Sequence, residues 1–234
     1  MRENPEANKN PETTVKILVT AGPTREALDP IRYISNHSTG EMGYSIAAAG
    51  ADRGFKVSLI SGPTQIPAPF GVETVNVTTA REMRDEVMER AKAYDCLIMT
   101  AAVCDFRPAK RARYKIKKTG DMTLRLLLNP DILLEAAGRK SLVKVGFALE
   151  TADPAANGRK KMREKNLDLM IVNEKNENND PFGPGNKEYT MIRSDGSAKE
   201  IKGLEKRQMA GIIIDEVEKL IQRRRNAPEA ADSR

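Results

Sequence analysis

The sequence predicts an α/β fold: a doubly wound, mainly parallel sheet with helices on both faces. Three observations predict it. Short apolar runs alternate with helical patterns along most of the chain. Several of those runs are apolar on both faces, as strands inside a parallel sheet must be. The 234 residues are enough to bury a sizeable core.

The strand candidates are, in order, Lys16–Thr20 (KILVT), Lys56–Ser61 (KVSLIS), Val72–Val77, Cys96–Ala102 (CLIMTAA), Val143–Leu149 and Leu169–Asn173. Helix candidates lie between them at Gly40–Arg53, Thr79–Tyr94, Asp131–Arg139 and Pro154–Asn166. Thr79 can cap its helix, with Glu82 placed to complete a capping box. Pro130-Asp131 opens the next helix in a similar way. Right-handed crossovers then give a Rossmann-like sheet.

The pattern changes after Asn173. Glu174–Lys187 is rich in Asn, Gly and Pro and predicts a long loop. Tyr189–Ser194 and Ala198–Ile201 flank Asp195-Gly196, a strong hairpin signal. Ile212–Ile221 predicts a closing amphipathic helix. Residues 223–234 are expected to form a flexible tail. Residues 1–14 are expected to be a flexible leader or linker remnant, and 15–222 a single domain. Val103–Leu128 is basic and long, ends in the strand-like Thr123–Leu128, and predicts a projecting arm.

Composition narrows the function classes. Aromatics are 4 % with no Trp, which disfavours a carbohydrate- or base-stacking surface. No apolar run approaches the roughly 20 residues that span a bilayer. Met1–Thr14 lacks the apolar core of a signal peptide. Cys96 and Cys104 cannot make a disulfide framework, so a reduced, cytoplasmic setting is expected. The net charge of +6 fits a nucleic-acid partner, a solvated basic surface, or a site for several anionic groups. Basic residues concentrate in Lys110–Lys118 (KRARYKIKK) and Arg159–Lys165 (RKKMREK).

Ligands of open α/β sheets bind beyond the carboxyl ends of the strands. Lys16–Thr20 leads into a long loop, Ala21–Gly43, of the kind that is usually functional. Ser38, Thr39 and Gly40 precede the next helix, whose free N–H groups and dipole suit an anion. A dinucleotide fingerprint and a Walker A loop are both absent. His37, the only histidine, reads as positional more readily than as a base. Cys104 lacks the partners of a nucleophile. At a second strand end, Ala101–Pro108 (AAVCDFRP), small residues let a ligand approach the backbone. Asp105 there suits a ribose hydroxyl or Mg²⁺. Lys115 and Lys117 share one face if their segment is extended, placed to offset phosphate charge.

These segments together resemble the phosphopantothenate–cysteine ligase family, the synthetase half of the bacterial coenzyme A flavoprotein. The resemblance rests on Thr20–Gly43 (TAGPTREALDPIRYISNHSTGEMG), AAVCDFRP, Lys115–Lys118 (KIKK), Asn129–Leu133 (NPDIL), Gly146–Thr151 (GFALET) and Lys161–Asn173 (KMREKNLDLMIVN). It runs from about Val15 to Ile221. It implies CTP-dependent joining of 4′-phosphopantothenate to L-cysteine through an acyl-cytidylate, with release of pyrophosphate and CMP. Carried over residue by residue, Asn36 binds phosphopantothenate and supports the acyl-cytidylate and its conversion. An amide can donate to a developing oxyanion. Arg32 contacts the substrate phosphate, across a dimer interface in one reading. Ser38 and Gly40 join them on the substrate side. Lys115 is tied to acyl-cytidylate formation. Asp105, Lys115, Phe147, Lys161 and Lys165 are CTP contacts, with the backbones of Met99, Thr100 and Ala101 and of Pro130, Asp131, Ile132 and Leu133. Lys161 and Lys165 are i,i+4 neighbours. Mg²⁺ on Asp105, a homodimer with its active site near the arm, and a fused or separate flavin-dependent decarboxylase complete the expectation.

Glu41 departs from a position that is often basic in the family, which bears on anion affinity. Cys104 departs from one that is often Ala, which implies sensitivity to thiol reagents. The alternatives are a nucleotide-dependent oxidoreductase, disfavoured by the missing fingerprint, and a basic nucleic-acid-binding module on Lys110–Lys118, disfavoured by the aromatic count and the lack of a binding motif.

Overall fold

The computed structural model describes residues 14–150, 153–175, 179–183 and 185–226. In chain order its elements are β1 (Lys16–Ala21), β2 (Arg25–Ala27), β3 (Tyr33–Ser35), α1 (Glu41–Asp52), β4 (Lys56–Ser61), β5 (Glu73–Asn76), α2 (Ala80–Arg90), β6 (Cys96–Met99), β7 (Phe106–Pro108), β8 (Leu126–Leu128), α3 (Ile132–Ala136), β9 (Val143–Glu150), α4 (Pro154–Glu164), β10 (Leu169–Glu174), β11 (Lys187–Arg193), β12 (Ala198–Leu204) and α5 (Lys206–Asn226).

Eight strands form one sheet in the order β12-β11-β10-β9-β6-β1-β4-β5. β5, β4, β1, β6, β9 and β10 run parallel, and β11 and β12 add an antiparallel hairpin. The predicted α/β class, the expected sheet strands and the closing hairpin are all present.

Strand alternation sorts the core into two layers. Ile17, Val19 and Ala21 of β1 join Ile46 and Ala47 of α1 and Ile213 and Val217 of α5. Leu18 faces the other way, toward Met83 and Val87 of α2, Ala136 of α3 and Met162 of α4. Each fully buried Val, Leu, Ile or Met side chain among these contributes about 1.5–3 kcal/mol. The capping box on α2 forms as expected: Thr79 Oγ1 accepts from Glu82 N at 3.2 Å, and Glu82 Oε2 accepts from Thr79 N at 3.1 Å.

Four expectations need correction. The closing helix starts at Lys206 and runs through Arg223 to Asn226 instead of fraying, because it is pinned to the sheet. Arg224 Nη2 donates to Asp168 Oδ1 at 2.5 Å, and Arg225 Nη2 to Asp95 Oδ1 at 3.0 Å. The helix expected over Asp131–Arg139 is only α3. Beyond it the buried Lys144 ammonium takes the carbonyls of Ala137 and Arg139 at 3.1 and 3.2 Å. The loop Ala21–Gly43 contains a two-stranded ribbon, with Arg25 opposite Ser35 and Ala27 opposite Tyr33. Within Val103–Leu128, β7 pairs only with β8, so the strand expected from Thr123 is shorter. Of the expected terminal segments, residues 1–13 and 227–234 lie outside the described residues, as do 176–178 and 184 of the loop before β11 and Thr151 of the GFALET segment.

From β1 the chain adds β4 and β5 on one side, then crosses to β6, β9 and β10 on the other. The strand order therefore reverses between β1 and β6, and a crevice opens beyond their carboxyl ends.

Candidate active site

The β1 and β6 ends are stitched together before any side chain enters. Ala102 N donates to Gly22 O at 2.9 Å, and Thr24 N donates back to Ala102 O at 3.2 Å. Thr100 Oγ1 donates to Thr20 O at 2.6 Å. Helix α1 packs directly on this junction. A Cβ built on Gly43 would lie 2.5 Å from both Ala21 Cβ and Thr100 Oγ1, so only glycine allows the helix this close. Gly40, at φ 83°, turns the chain into the helix and offers no capping side chain. Glu41 N donates to Thr39 Oγ1 at 3.4 Å, and the N–H groups of Met42 and Gly43 that follow face whatever occupies the crevice.

Two clefts meet there. One, of about 200 Å³, is lined by Gly40–Gly43, Thr100–Ala102, Phe147, Asn173 and Lys206. The other, of about 750 Å³, is lined by Arg25, Tyr33, Asn36, His37, Thr64 and Gln65. Ser38, Thr39 and Phe182 line both.

Asn36 stands at the junction. Its Nδ2 donates to Ala102 O and Val103 O, each at 3.1 Å. Both amide hydrogens are therefore committed. Arg32 turns toward the arm. Its guanidinium pairs with Asp29 Oδ2 at 2.5 Å and reaches Ile116 O at 2.9 Å. Asp29 Oδ2 also accepts from Ile116 N at 3.1 Å. The Arg32 guanidinium holds the buried Asp29 carboxyl well below the usual carboxylate range, against the opposing effect of burial. This cluster fixes the KIKK segment next to the β2–β3 ribbon. Lys115 and Lys117 are exposed on either side of the half-buried Ile116.

Apart from Lys115, which stands beside the Asp29–Arg32 cluster, the residues expected on the nucleotide side gather near the ends of β6 and β9. Asp105 is exposed, and its carbonyl accepts from Asn129 N at 2.8 Å. Asn129 Nδ2 in turn donates to Cys104 O at 2.8 Å. Asp131 caps α3 by accepting from Leu134 N at 3.1 Å, while Ile132 and Leu133 are buried. Met99 is buried at the β6 end. Lys165 closes α4 with its N–H on Lys161 O at 3.1 Å, so the i,i+4 relation holds. Each ammonium has its own carboxylate: Lys161 pairs with Glu150 at 2.6 Å and Lys165 with Asp131 at 2.7 Å. Among the described residues no group of three His, Cys, Asp or Glu is placed to hold a metal ion, so Asp105 stands as a single carboxylate.

Three residues here were not singled out from the sequence. Asn173 follows an apolar run, and its buried Oδ1 has no hydrogen-bond partner among the described residues. Its signal was a polar residue ending a buried strand. Lys206 pairs with Glu41 at 2.6 Å, so α5 brings a cation to the acidic first residue of α1. Phe182 sits in a loop with no periodicity to expose it. The expected thiol-reagent sensitivity at Cys104 is corrected. Cys104 is 3 % exposed, its Sγ donates to Thr24 O at 3.4 Å, and burial raises the thiol pKa.

Residues 13–221 match the family described as DNA/pantothenate metabolism flavoprotein C-terminal domain. The chain belongs to this family. It is 44 % identical over 185 residues to the coenzyme A biosynthesis bifunctional protein CoaBC of Vibrio parahaemolyticus, a match that covers 77 % of this chain and 46 % of that protein. It is 40 % identical over 210 residues to CoaBC of Escherichia coli K12, covering 87 % and 51 %. The chain therefore spans about half the length of these relatives. The crystal structure of the C-terminal domain of a CoaBC protein superposes with a TM-score of 0.77 at 34 % identity, covering 89 % of this chain and 96 % of that one. As a family member, the chain carries its two clefts on a fold shared with that domain. Among its described residues no helix is long and apolar enough to cross a membrane.

Proposed function

We propose that this chain is a phosphopantothenate–cysteine ligase that uses CTP. The observation that carries the reading is Asn36, bonded to Ala102 and Val103 where the two clefts meet. One cleft has the features of a nucleotide site: helix N–H groups for phosphate, the ring of Phe147, and the Oδ1 of Asn173, without a partner among the described residues, as an acceptor. The other opens beside Asn36 and takes the acyl and amine partners.

The first step joins a phosphopantothenate carboxylate oxygen to the α-phosphorus of CTP, and pyrophosphate leaves. The exposed Lys115 offsets charge on the phosphates as that bond forms. The second step joins the cysteine nitrogen to the acyl carbon. The C–O bond to CMP breaks, and the amine loses a proton. Asn36 gives up one of its two carbonyl bonds to donate to the acyl oxygen while negative charge develops there. Mg²⁺ keeps several waters and needs only one or two carboxylates plus substrate phosphates, so the single exposed Asp105 fits its donor set. Bound there, it would neutralise phosphate charge. Lys161 and Lys165 exchange their carboxylate partners for the nucleotide. Arg32 meets the phosphopantothenate phosphate from the first-strand loop, beside the arm.

The arm exposes Phe106 and Leu126–Leu128, with Leu128 70 % exposed. Apolar exposure on a projecting ribbon supports a homodimer. The relatives' description as bifunctional, and the family's as the C-terminal domain of a flavoprotein, support a flavin-dependent decarboxylase as the companion activity.

Pyrophosphate release from the purified protein tests the reading. It should require CTP and phosphopantothenate, exceed its value with ATP, GTP or UTP, and become catalytic on addition of cysteine. Folded protein that releases none under any combination would end it.

A further inference from the structure

We propose that Arg25 anchors the α-carboxylate of the amino-acid substrate in the larger cleft, an assignment that rests on the ligase reading. The β2–β3 ladder sets Arg25 directly opposite Ser35, the residue before Asn36. Its guanidinium lies over the Tyr33 ring, 4.6 Å from the centroid, which fixes its plane at the cleft wall. The side chain is half-buried, and among the described residues no carboxylate lies within ion-pair distance of it. Most of the arginines around the site differ: Arg32 is paired with Asp29, and Arg107 is bonded to Leu128 O and Asn129 Oδ1. A guanidinium never loses its charge, and its fork of donors matches a carboxylate in a bidentate pair.

The choice among anions follows from position. The helix N–H groups of α1 serve the smaller cleft. Arg32 points to the arm through Ile116. Arg25 faces the cleft that also holds His37, Thr64 and Gln65. Arg25 and Asn36 both line this cleft, so a group held at Arg25 shares it with the Asn36 amide. In an α-amino acid, one carbon separates carboxylate from amine. Holding the carboxylate at Arg25 therefore delivers the amine to the acyl carbon beside Asn36, a positioning gain and not a chemical one.

Arg25→Gln, Arg25→Lys and wild type should be compared with cysteine and with cysteamine, which keeps the amine and thiol but lacks the carboxylate. Arg25→Gln should lower kcat/KM for cysteine by about tenfold or more, the loss of one charge-assisted pair. It should leave kcat/KM for cysteamine and the KM for phosphopantothenate and CTP unchanged. Arg25→Lys should recover part of the cysteine loss. Equal losses with both amines would overturn the proposal, and a raised KM for phosphopantothenate would reassign Arg25 to the phosphate. Pyrophosphate release without cysteine separates the two levels. If wild type releases none with or without cysteine, the ligase reading fails. If wild type and variants share it but cysteine use is unaffected, only the Arg25 assignment fails.

Discussion

The side-chain amide of Asn36 donates to the carbonyl of Ala102 at 3.1 Å, across the point where the strand order of the sheet reverses. That bond, with its twin to Val103, ties the loop after β1 to the segment after β6. It explains why an amide stands there. Two hydrogens on one nitrogen satisfy two carbonyls, and a carboxylate could satisfy neither. Asn36→Asp should therefore both repel those carbonyls and set a negative charge beside the reacting acyl group. Ligation should fall by about 10²–10³-fold, the usual cost of losing one such donor. CTP binding, measured by calorimetry, should persist. Normal turnover by Asn36→Asp would show that the junction is not the reacting centre.

Lys115 makes its contribution only when phosphate is present, since it is exposed beside the pinned Ile116. Lys115→Gln should keep the folded melting temperature and lose cysteine-independent pyrophosphate release. Undiminished release would remove Lys115 from the first step.

Gly43 sets how closely α1 approaches the β1–β6 junction. In Gly43→Ala the new Cβ meets Ala21 and Thr100 at 2.5 Å, and the helix must move outward. Overpacking of this kind costs about 1–3 kcal/mol. A lower melting temperature should accompany weaker CTP binding, because the helix N–H groups retreat with the backbone. Unchanged values for both would contradict the close-packing account.

The Asp29–Arg32 pair carries a pH signature. Hydrogen bonding from Arg32 depresses the Asp29 carboxyl in the folded protein. A depressed carboxyl adds stability that is complete above the ordinary aspartate value of about 3.9 and is lost as pH falls through the lower folded value. Wild-type stability relative to Asp29→Asn should be constant from neutral pH down to about 5 and shrink only below about 4. Denaturant melts across that range, with exchange of the Ile116 amide, measure it. A difference that already shrinks near neutrality would place the pair's energetics elsewhere.

The legible part of this molecule is what periodicity encodes. Ile17, Leu18 and Val19 announced a two-faced strand, Thr79 with Glu82 a helix start, and Asp195-Gly196 a hairpin, and each is as read. What sequence pattern missed depends on partners distant in the chain. Arg224 and Arg225 looked like a polar tail until Asp168 and Asp95 came within reach. Cys104 lacked a nucleophile's partners in the sequence, and Thr24 and Ile34 indeed close over it; only the thiol-reagent sensitivity implied by the resemblance is lost. Lys206 lies far along the chain from Glu41, yet its ammonium pairs with that carboxylate at 2.6 Å. The first-strand loop pointed to an anion site through its Gly, Asn and Ser content. Resemblance alone suggested a reaction for it.

A single-turnover experiment tests the account most directly. Wild-type protein is mixed with phosphopantothenate, CTP and Mg²⁺ without cysteine, quenched, and analysed by mass spectrometry for the acyl-cytidylate. The account predicts that this species accumulates to near the enzyme concentration and converts to phosphopantothenoylcysteine and CMP when cysteine is added. Unreacted CTP in the absence of cysteine, with product appearing only when all three substrates are present and no intermediate at any time, would contradict it.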